Sequence, residues 1–167
     1  MNAKPPRTLD GSAGDADYGV IGRTYGDYRQ PDSRIAQPVW DALGDACTVL
    51  NVGAGAGNYE PIDRDVTAIE PSASMRAQRP AALGAAIDAV AESLPFPDDT
   101  FDAAMTTFSV HQWGDLNAGL LEIRRVTRGP VVILTCDLTC STNSGLLNMR
   151  RMLSRRTSPL PSDLAAH

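Results

Sequence analysis

The stretch VLNVGAGAGNYE, residues 49–60, contains an apolar run followed by glycines at every second position. Residues 47–52 carry apolar side chains on both faces, a pattern typical of a central strand in a parallel sheet that helices cover on both sides. Gly53, Gly55 and Gly57 can take left-handed backbone angles and leave room for a ligand close to the backbone. The stretch therefore predicts a buried strand whose carboxyl end turns around a ligand, as in open α/β sheets.

The composition indicates one globular domain. The chain has 167 residues, enough for a single core, and its net charge of −5 argues against nucleic acid as a partner. No apolar run is long enough to span a membrane, and residues 1–17 lack the apolar core of a signal peptide, so we expect a cytoplasmic protein. The cysteines, Cys47, Cys136 and Cys140, have no metal-site spacing. Cys47 is expected to be a small buried hydrophobic residue.

Strand and helix patterns alternate along the chain. Strands are predicted at residues 47–52, 66–69, 86–90, 103–108 and 131–135, and helices at residues 33–43, 58–62, 72–78 and 116–128. Asp32 or Ser33, Ser72 and Asp115 are the expected N-caps, and Pro38 is a candidate to delay the first helix by a turn. The last helix should bury one apolar face, formed by Leu116, Leu120, Ile123 and Val126.

This alternation implies right-handed βαβ units and a doubly wound parallel sheet of about five strands. The domain is expected to span residues 18–135. Residues 1–17, rich in Pro, Gly, Ser and Asp, are predicted to be a disordered tail, and residues 136–167 an irregular C-terminal tail.

Glu70 lies just after the second predicted strand, where a βαβ unit places it beside the glycine turn. A carboxylate there can accept hydrogen bonds from both hydroxyls of a ribose, which favours a nucleoside cofactor over a solvent-facing acid. The spacing is GxGxG instead of the GxGxxG of dinucleotide sites, and the turn contains no Arg or Lys to meet phosphate. A nicotinamide-dependent oxidoreductase therefore remains only a less favoured alternative.

Four further blocks follow the glycine turn in order: AIEPSASM, AESLPFPDDTFDAAM, SVHQW and LLEIRRVTRGPVVILT. With VLNVGAGAG they resemble the class I S-adenosylmethionine-dependent methyltransferases with a Rossmann-like fold, and especially the small-molecule branch similar to ubiquinone and menaquinone C-methylases, the type 11 methyltransferase domain. The resemblance covers residues 18–135. It implies an enzyme that transfers a methyl group from S-adenosylmethionine to a small molecule.

The resemblance also implies which residues bind the cofactor. The glycine turn would hold its amino-acid end, Glu70 its ribose, and the loops after the next two predicted strands its adenine and sulfonium. The implied cofactor-binding residues are Asn51, Gly53, Ala54, Gly55, Gly57, Glu70, Pro71, Met75, Ala91, Glu92, Ser93, Leu94, Phe108 and Ser109. Asn51 and Val90 stand where many members of the family carry an acid, which predicts a weakened but intact site.

His111 is the candidate catalytic base, because it is the only titratable side chain just beyond the fourth predicted strand. Packing beside Trp113 is the alternative role for this histidine, and positioning alone can accelerate methyl transfer. Aromatic and basic residues near the N-terminus form either a solvated loop or a lid over the substrate. The candidate substrate residues are Tyr18, Tyr25, Tyr28, Arg29, His111 and Trp113.

The family continues after its fifth strand with a helix and two more strands, whereas residues 136–167 have no strand pattern. We therefore expect a chain that lacks these strands, through truncation or a frameshift, and whose activity is impaired; a natural divergent tail is the alternative. The last predicted strand would then be an exposed edge, through which a homodimer could form. A non-catalytic fragment that binds the cofactor, or a partner at this edge, is the second functional hypothesis.

Overall fold

The computed structural model describes residues 32–135, so the N-terminal tail and lid residues and the C-terminal tail lie outside the described part. This part contains α1 (Ser33–Ala42), β1 (Thr48–Val52), β2 (Asp65–Ile69), α2 (Ala73–Ala77), β3 (Ala103–Thr107), α3 (Leu116–Val126) and β4 (Val131–Leu134). Two short 3-10 turns, Ala81–Leu83 and Val110–Gln112, complete it. The strands form one sheet in the order β2-β1-β3-β4, with every pair parallel.

The central strand β1 is buried on both faces, as the sequence predicts. On one side Val49 packs with Val39 of α1 and with Leu43, the C-cap residue of that helix. On the other side Leu50 packs with Ile123 of α3. Helices thus cover both faces of a parallel sheet, which confirms the predicted doubly wound α/β fold.

Side chains begin the helices where the sequence predicts. Asp32 accepts a hydrogen bond from the Arg34 backbone N–H at the start of α1. Ser72 accepts one from Met75 in α2, and Asp115 accepts one from Ala118 in α3. These bonds satisfy N–H groups that the first helical turn leaves unpaired.

The predicted strand at residues 86–90 is wrong. In the described part this segment makes one parallel bridge, between Ile87 and Ile69, so the sheet has four strands instead of about five. Ile87 is 41% exposed and none of residues 86–90 is buried, so little apolar burial stabilises this edge segment as a strand. The predicted helix at residues 58–62 is also wrong, because these residues form turns before Pro61.

Three further expectations fail. Pro38 lies inside α1 and does not delay its start, since the buried neighbours Ala36 and Val39 anchor the helix to the sheet. Leu116 is 47% exposed in the first turn of α3, and the buried face of the helix begins at Gly119 and continues through Ile123 and Val126. Cys47 is exposed at the start of the sheet.

No helix within residues 32–135 is long and apolar enough to cross a membrane. The same residues contain no cluster of three or more His, Cys, Asp or Glu side chains that could hold a metal ion.

Candidate functional site

A cavity opens where the carboxyl ends of β1, β2 and β3 meet, and Val52, Ile69 and Thr107 from these strand ends line it. The sheet order changes direction here, because β2 lies on one side of β1 and β3 on the other. Ligands of open α/β sheets bind in this crevice.

The glycine turn that borders the cavity requires glycine for two reasons. Gly53, Gly55 and Gly57 all have positive φ angles, of 69°, 55° and 89°. Close neighbours also restrict side chains here: a Cβ on Gly53 would collide with the Ser109 side chain, and one on Gly55 would make a tight contact of 3.2 Å with Met75 Cε. The glycine turn therefore packs closely against the loop after β3 and against α2.

Glu70 follows β2 directly and is only 7% exposed. Its Oε2 accepts a hydrogen bond from the Gly55 backbone N–H, and its Oε1 accepts one from the Ser72 N–H, both at 2.8 Å. Each oxygen keeps a further lone pair for a ligand. Burial raises the pKa of this carboxyl above its ordinary 4.5, although the two backbone hydrogen bonds oppose that rise.

An aromatic pair stands at the β3 side of the cavity. The rings of Tyr59 and Phe108 lie 5.9 Å apart and are tilted by 57°. Phe108 takes a left-handed φ of 55°, which is uncommon for a bulky residue and often marks a functional site. The neighbouring Ser109 hydroxyl bonds to Thr106 Oγ1 at 2.6 Å and donates to the Val52 carbonyl at 3.1 Å.

A second loop, residues 90–94, contributes Val90, Ala91 and Glu92 to the lining and is held by α3. Glu92 Oε1 accepts a hydrogen bond from the Asp115 N–H at 2.9 Å. The Leu94 N–H donates to Glu122 at 3.0 Å, and Arg125 donates to the Leu94 carbonyl at 3.2 Å. These contacts hold Ala91 and Glu92 at the cavity.

The sequence matches the family model described as "Methyltransferase domain" over residues 50–133, half of the chain. The chain belongs to this methyltransferase family. The match includes every strand end that forms the cavity and confirms the resemblance to class I methyltransferases, whose cofactor is S-adenosylmethionine.

Curated and solved relatives agree with this assignment. The chain is 28% identical over 142 residues to the malonyl-[acyl-carrier protein] O-methyltransferase of Erwinia pyrifoliae, covering 80% of this chain and 54% of that protein. It is 43% identical over 47 residues to the demethylmenaquinone methyltransferase of Corynebacterium kroppenstedtii, covering 28% and 20% of the two chains. The chain spans about half, or less, of the curated relatives it matches.

A solved structure from Anabaena variabilis, described as a methyltransferase, superimposes with a TM-score of 0.63 at 28% identity. The likeness covers 69% of this chain and 50% of that one.

Most residues predicted to bind S-adenosylmethionine meet at the cavity. Its lining includes the predicted residues Gly53, Ala54, Gly55, Glu70, Pro71, Met75, Ala91, Glu92, Phe108, Ser109 and, from the substrate set, Trp113. The lining residues of the described part include two carboxylates, Glu70 and Glu92, and no Lys, Arg or His. This charge suits a cationic sulfonium ligand that carries no phosphate.

Other predicted residues lie outside the lining. Asn51 lies behind the glycine turn, Gly57 is the last glycine of that turn and faces Leu83 and Arg79, and Leu94 is buried in the core beside α3. Ser93 turns back to bridge Val90. Tyr18, Tyr25, Tyr28 and Arg29 fall outside the described residues.

His111 lies on the exposed side of the 3-10 turn after β3, with its Nε2 3.3 Å from the Gln112 side-chain amide. Gln112, and not His111, is the residue of this turn that lines the cavity. The assignment of His111 as a base therefore stays a prediction.

Sequence reasoning missed three lining residues with aromatic or amide side chains, Asn58, Tyr59 and Gln112. Tyr59 is positioned by Trp40, whose indole N–H donates to the Tyr59 carbonyl at 2.9 Å across 19 residues of sequence. The only local signal was an aromatic residue two positions after the last glycine of the turn.

Proposed function

We propose that this protein transfers a methyl group from S-adenosylmethionine to a small-molecule acceptor. The observation that carries the proposal is the Glu70 carboxylate, fixed by two backbone N–H groups at the cavity with a lone pair left on each oxygen. Such a group is suited to accept hydrogen bonds from the two hydroxyls of a ribose. When bound, S-adenosylmethionine supplies a methyl group on a positively charged sulfur.

The residues of this chain would contribute mainly by binding and positioning. The glycine turn would accommodate the amino-acid end of the cofactor, Glu70 its ribose, and Pro71, Met75 and Ala91 its adenine. Phe108, Ser109 and Gln112 border the part of the cavity where an acceptor would approach. Orientation of the two reactants supplies much of the acceleration in such a displacement.

A small acceptor is supported by charge and by relatives. The chain's net charge of −5 offers no electrostatic attraction for nucleic acid. The names of two relatives specify a malonyl group on an acyl carrier protein and demethylmenaquinone as methyl acceptors. We also propose that the protein acts in the cytoplasm.

The test is formation of S-adenosylhomocysteine by the purified full-length chain, with acceptor panels of phenols, quinols, amines, thiols and carboxylates. Turnover with at least one panel, absent without acceptor, is the expected result. Binding of S-adenosylmethionine without turnover on any panel would contradict the transferase proposal.

That second outcome would favour a cofactor-binding chain that acts through its sheet edge. Within the described residues β4 pairs only with β3, and its sequence VVIL is apolar throughout. Light scattering of the purified chain would then show a dimer, and Ile133→Lys in β4 would convert it to a monomer.

As the pH is lowered, binding of S-adenosylmethionine is expected to weaken. The loss should begin at a higher pH than it would if the ribose were bound by a glutamate with an ordinary pKa. Only the ionised Glu70 can accept two ribose hydroxyls, and burial raises the pKa of this group. Affinity should be full above the Glu70 pKa and fall as the pH drops through it, by up to about tenfold per pH unit. Calorimetric titration across pH 4.5–8 measures this dependence.

The titration of Glu70 does not itself promote unfolding at low pH, because the sign of its linkage to stability is opposite. A carboxyl with a raised pKa in the folded state stabilises the protein as the pH falls through that pKa, since the folded state then binds the extra proton. Glu70→Gln should bind weakly with a flat profile over the same range. A wild-type profile that is equally flat would contradict the proposed role of Glu70.

A further inference from the structure

A buried ion pair lies behind the glycine turn, outside the cavity lining. Arg79 donates two parallel hydrogen bonds to Glu60, from Nη1 to Oε1 and from Nη2 to Oε2, both at 2.9 Å. The side chains are 2% and 1% exposed. This fork-to-fork geometry fixes the direction of both groups as well as their distance.

Asn51 connects the pair to β1. Its side-chain amide donates to Glu60 Oε1 at 2.9 Å, and the residue is 2% exposed. Asn51 lies two positions before the first glycine of the turn, and Glu60 lies three positions after the last one. The Asn51–Glu60 hydrogen bond therefore ties together the two ends of the loop that borders the cavity.

The ion pair also touches the turn itself. The Glu60 backbone N–H donates to the Gly57 carbonyl at 3.2 Å. A Cβ on Gly57 would lie 3.0 Å from Arg79 Nη1 and 3.5 Å from Glu60 Cδ. Arg79 additionally donates to the Gly84 carbonyl at 3.3 Å, which anchors the turn to the segment that follows α2.

We propose that Glu60 and Arg79 are positioning residues that hold the glycine turn in its cofactor-binding conformation. The inference rests on the proposed function and identifies residues that shape that same site. Replacing a buried ion pair by apolar residues of similar volume is often neutral for stability, so fold stability alone does not account for such a pair. The fixed direction of its two hydrogen bonds instead restrains the shape of the glycine turn. Close contact between the turn and a ligand depends on that shape.

The test separates stability from positioning with the double variant Glu60→Leu/Arg79→Met in the full-length chain. We expect only a modest fall in the temperature of thermal unfolding, because no charge is left buried without a partner, although the buried Asn51 amide loses its acceptor. We expect the dissociation constant for S-adenosylmethionine to rise by roughly tenfold or more, because the loop loses its directional restraint. In turnover assays KM for the cofactor should rise more than kcat falls.

Arg79→Lys serves as the second variant, since it keeps the charge but loses the fork, and it should weaken binding even if the double variant does not fold. Arg128→Met is the control: Arg128 pairs with Asp102 at the opposite end of the strands, and its loss should leave cofactor affinity unchanged.

The outcomes distinguish the inference from the proposed function. A wild-type chain that binds the cofactor, with folded variants at positions 60 and 79 that bind it equally well, would overturn the positioning role alone. A folded wild-type chain that binds no S-adenosylmethionine would overturn the proposed function and the positioning role together.

Discussion

Glu70→Ala is expected to weaken binding of S-adenosylmethionine by about a hundredfold or more. Two hydrogen bonds from ribose hydroxyls to a buried carboxylate would be lost, each with a net value of roughly 1.5–3 kcal/mol for a charged acceptor. The Gly55 and Ser72 N–H groups would also lose their acceptors, so the loop geometry would relax. Calorimetric titration with S-adenosylmethionine and S-adenosylhomocysteine measures both effects.

Asp65→Ala is the matched control for this experiment. Asp65 is an exposed acid at the amino end of the same strand, β2, and its removal changes the net charge by the same amount. It should leave affinity unchanged. Wild-type affinity in a folded Glu70→Ala protein would show that Glu70 does not bind the ribose.

The glycine turn and Glu70 could be predicted from sequence because their constraints are local or follow from strand register. Parallel pairing aligns Val52 with Ile69, so the residue after each strand reaches the same edge. Gly53 and Ala54 then both donate their N–H groups to the Ile69 carbonyl at 2.9 Å. Any sequence with two such strands and this spacing brings these residues together.

The remaining parts of the site depend on contacts that no local pattern encodes. Glu60 and Arg79 are 19 residues apart, and either could be read as a solvated charge until both are seen to be buried. His111 and Gln112 are adjacent in a 3-10 turn, where successive side chains point in different directions. The exact start of the turn therefore decides which side chain faces the cavity. Pro38 is tolerated inside α1 because the helix is held by core contacts that sequence propensity does not include.

Gly53→Ala is expected to reduce the free energy of unfolding by about 2–4 kcal/mol and to weaken cofactor binding at least roughly tenfold. About 1–2 kcal/mol of this comes from the left-handed φ of 69°. The remainder comes from collision of the new Cβ with Ser109. Ser109 cannot rotate away without breaking hydrogen bonds to Thr106 and to the Val52 carbonyl. Since positions 53 and 109 both line the cavity, any shift changes its shape.

Gly44→Ala isolates the contribution of the close contact. Gly44 has a similar φ of 62°, but no atom lies within 4 Å of the position a Cβ would take. Its substitution should therefore cost only the backbone term of about 1–2 kcal/mol and leave affinity for S-adenosylmethionine unchanged. Urea denaturation and calorimetric titration of both variants give the comparison. Equal losses of stability in the two would mean that backbone strain alone explains glycine at position 53. A larger loss in Gly53→Ala, together with weaker binding, would mean that Ser109 and the glycine turn must be in contact for the cavity to form.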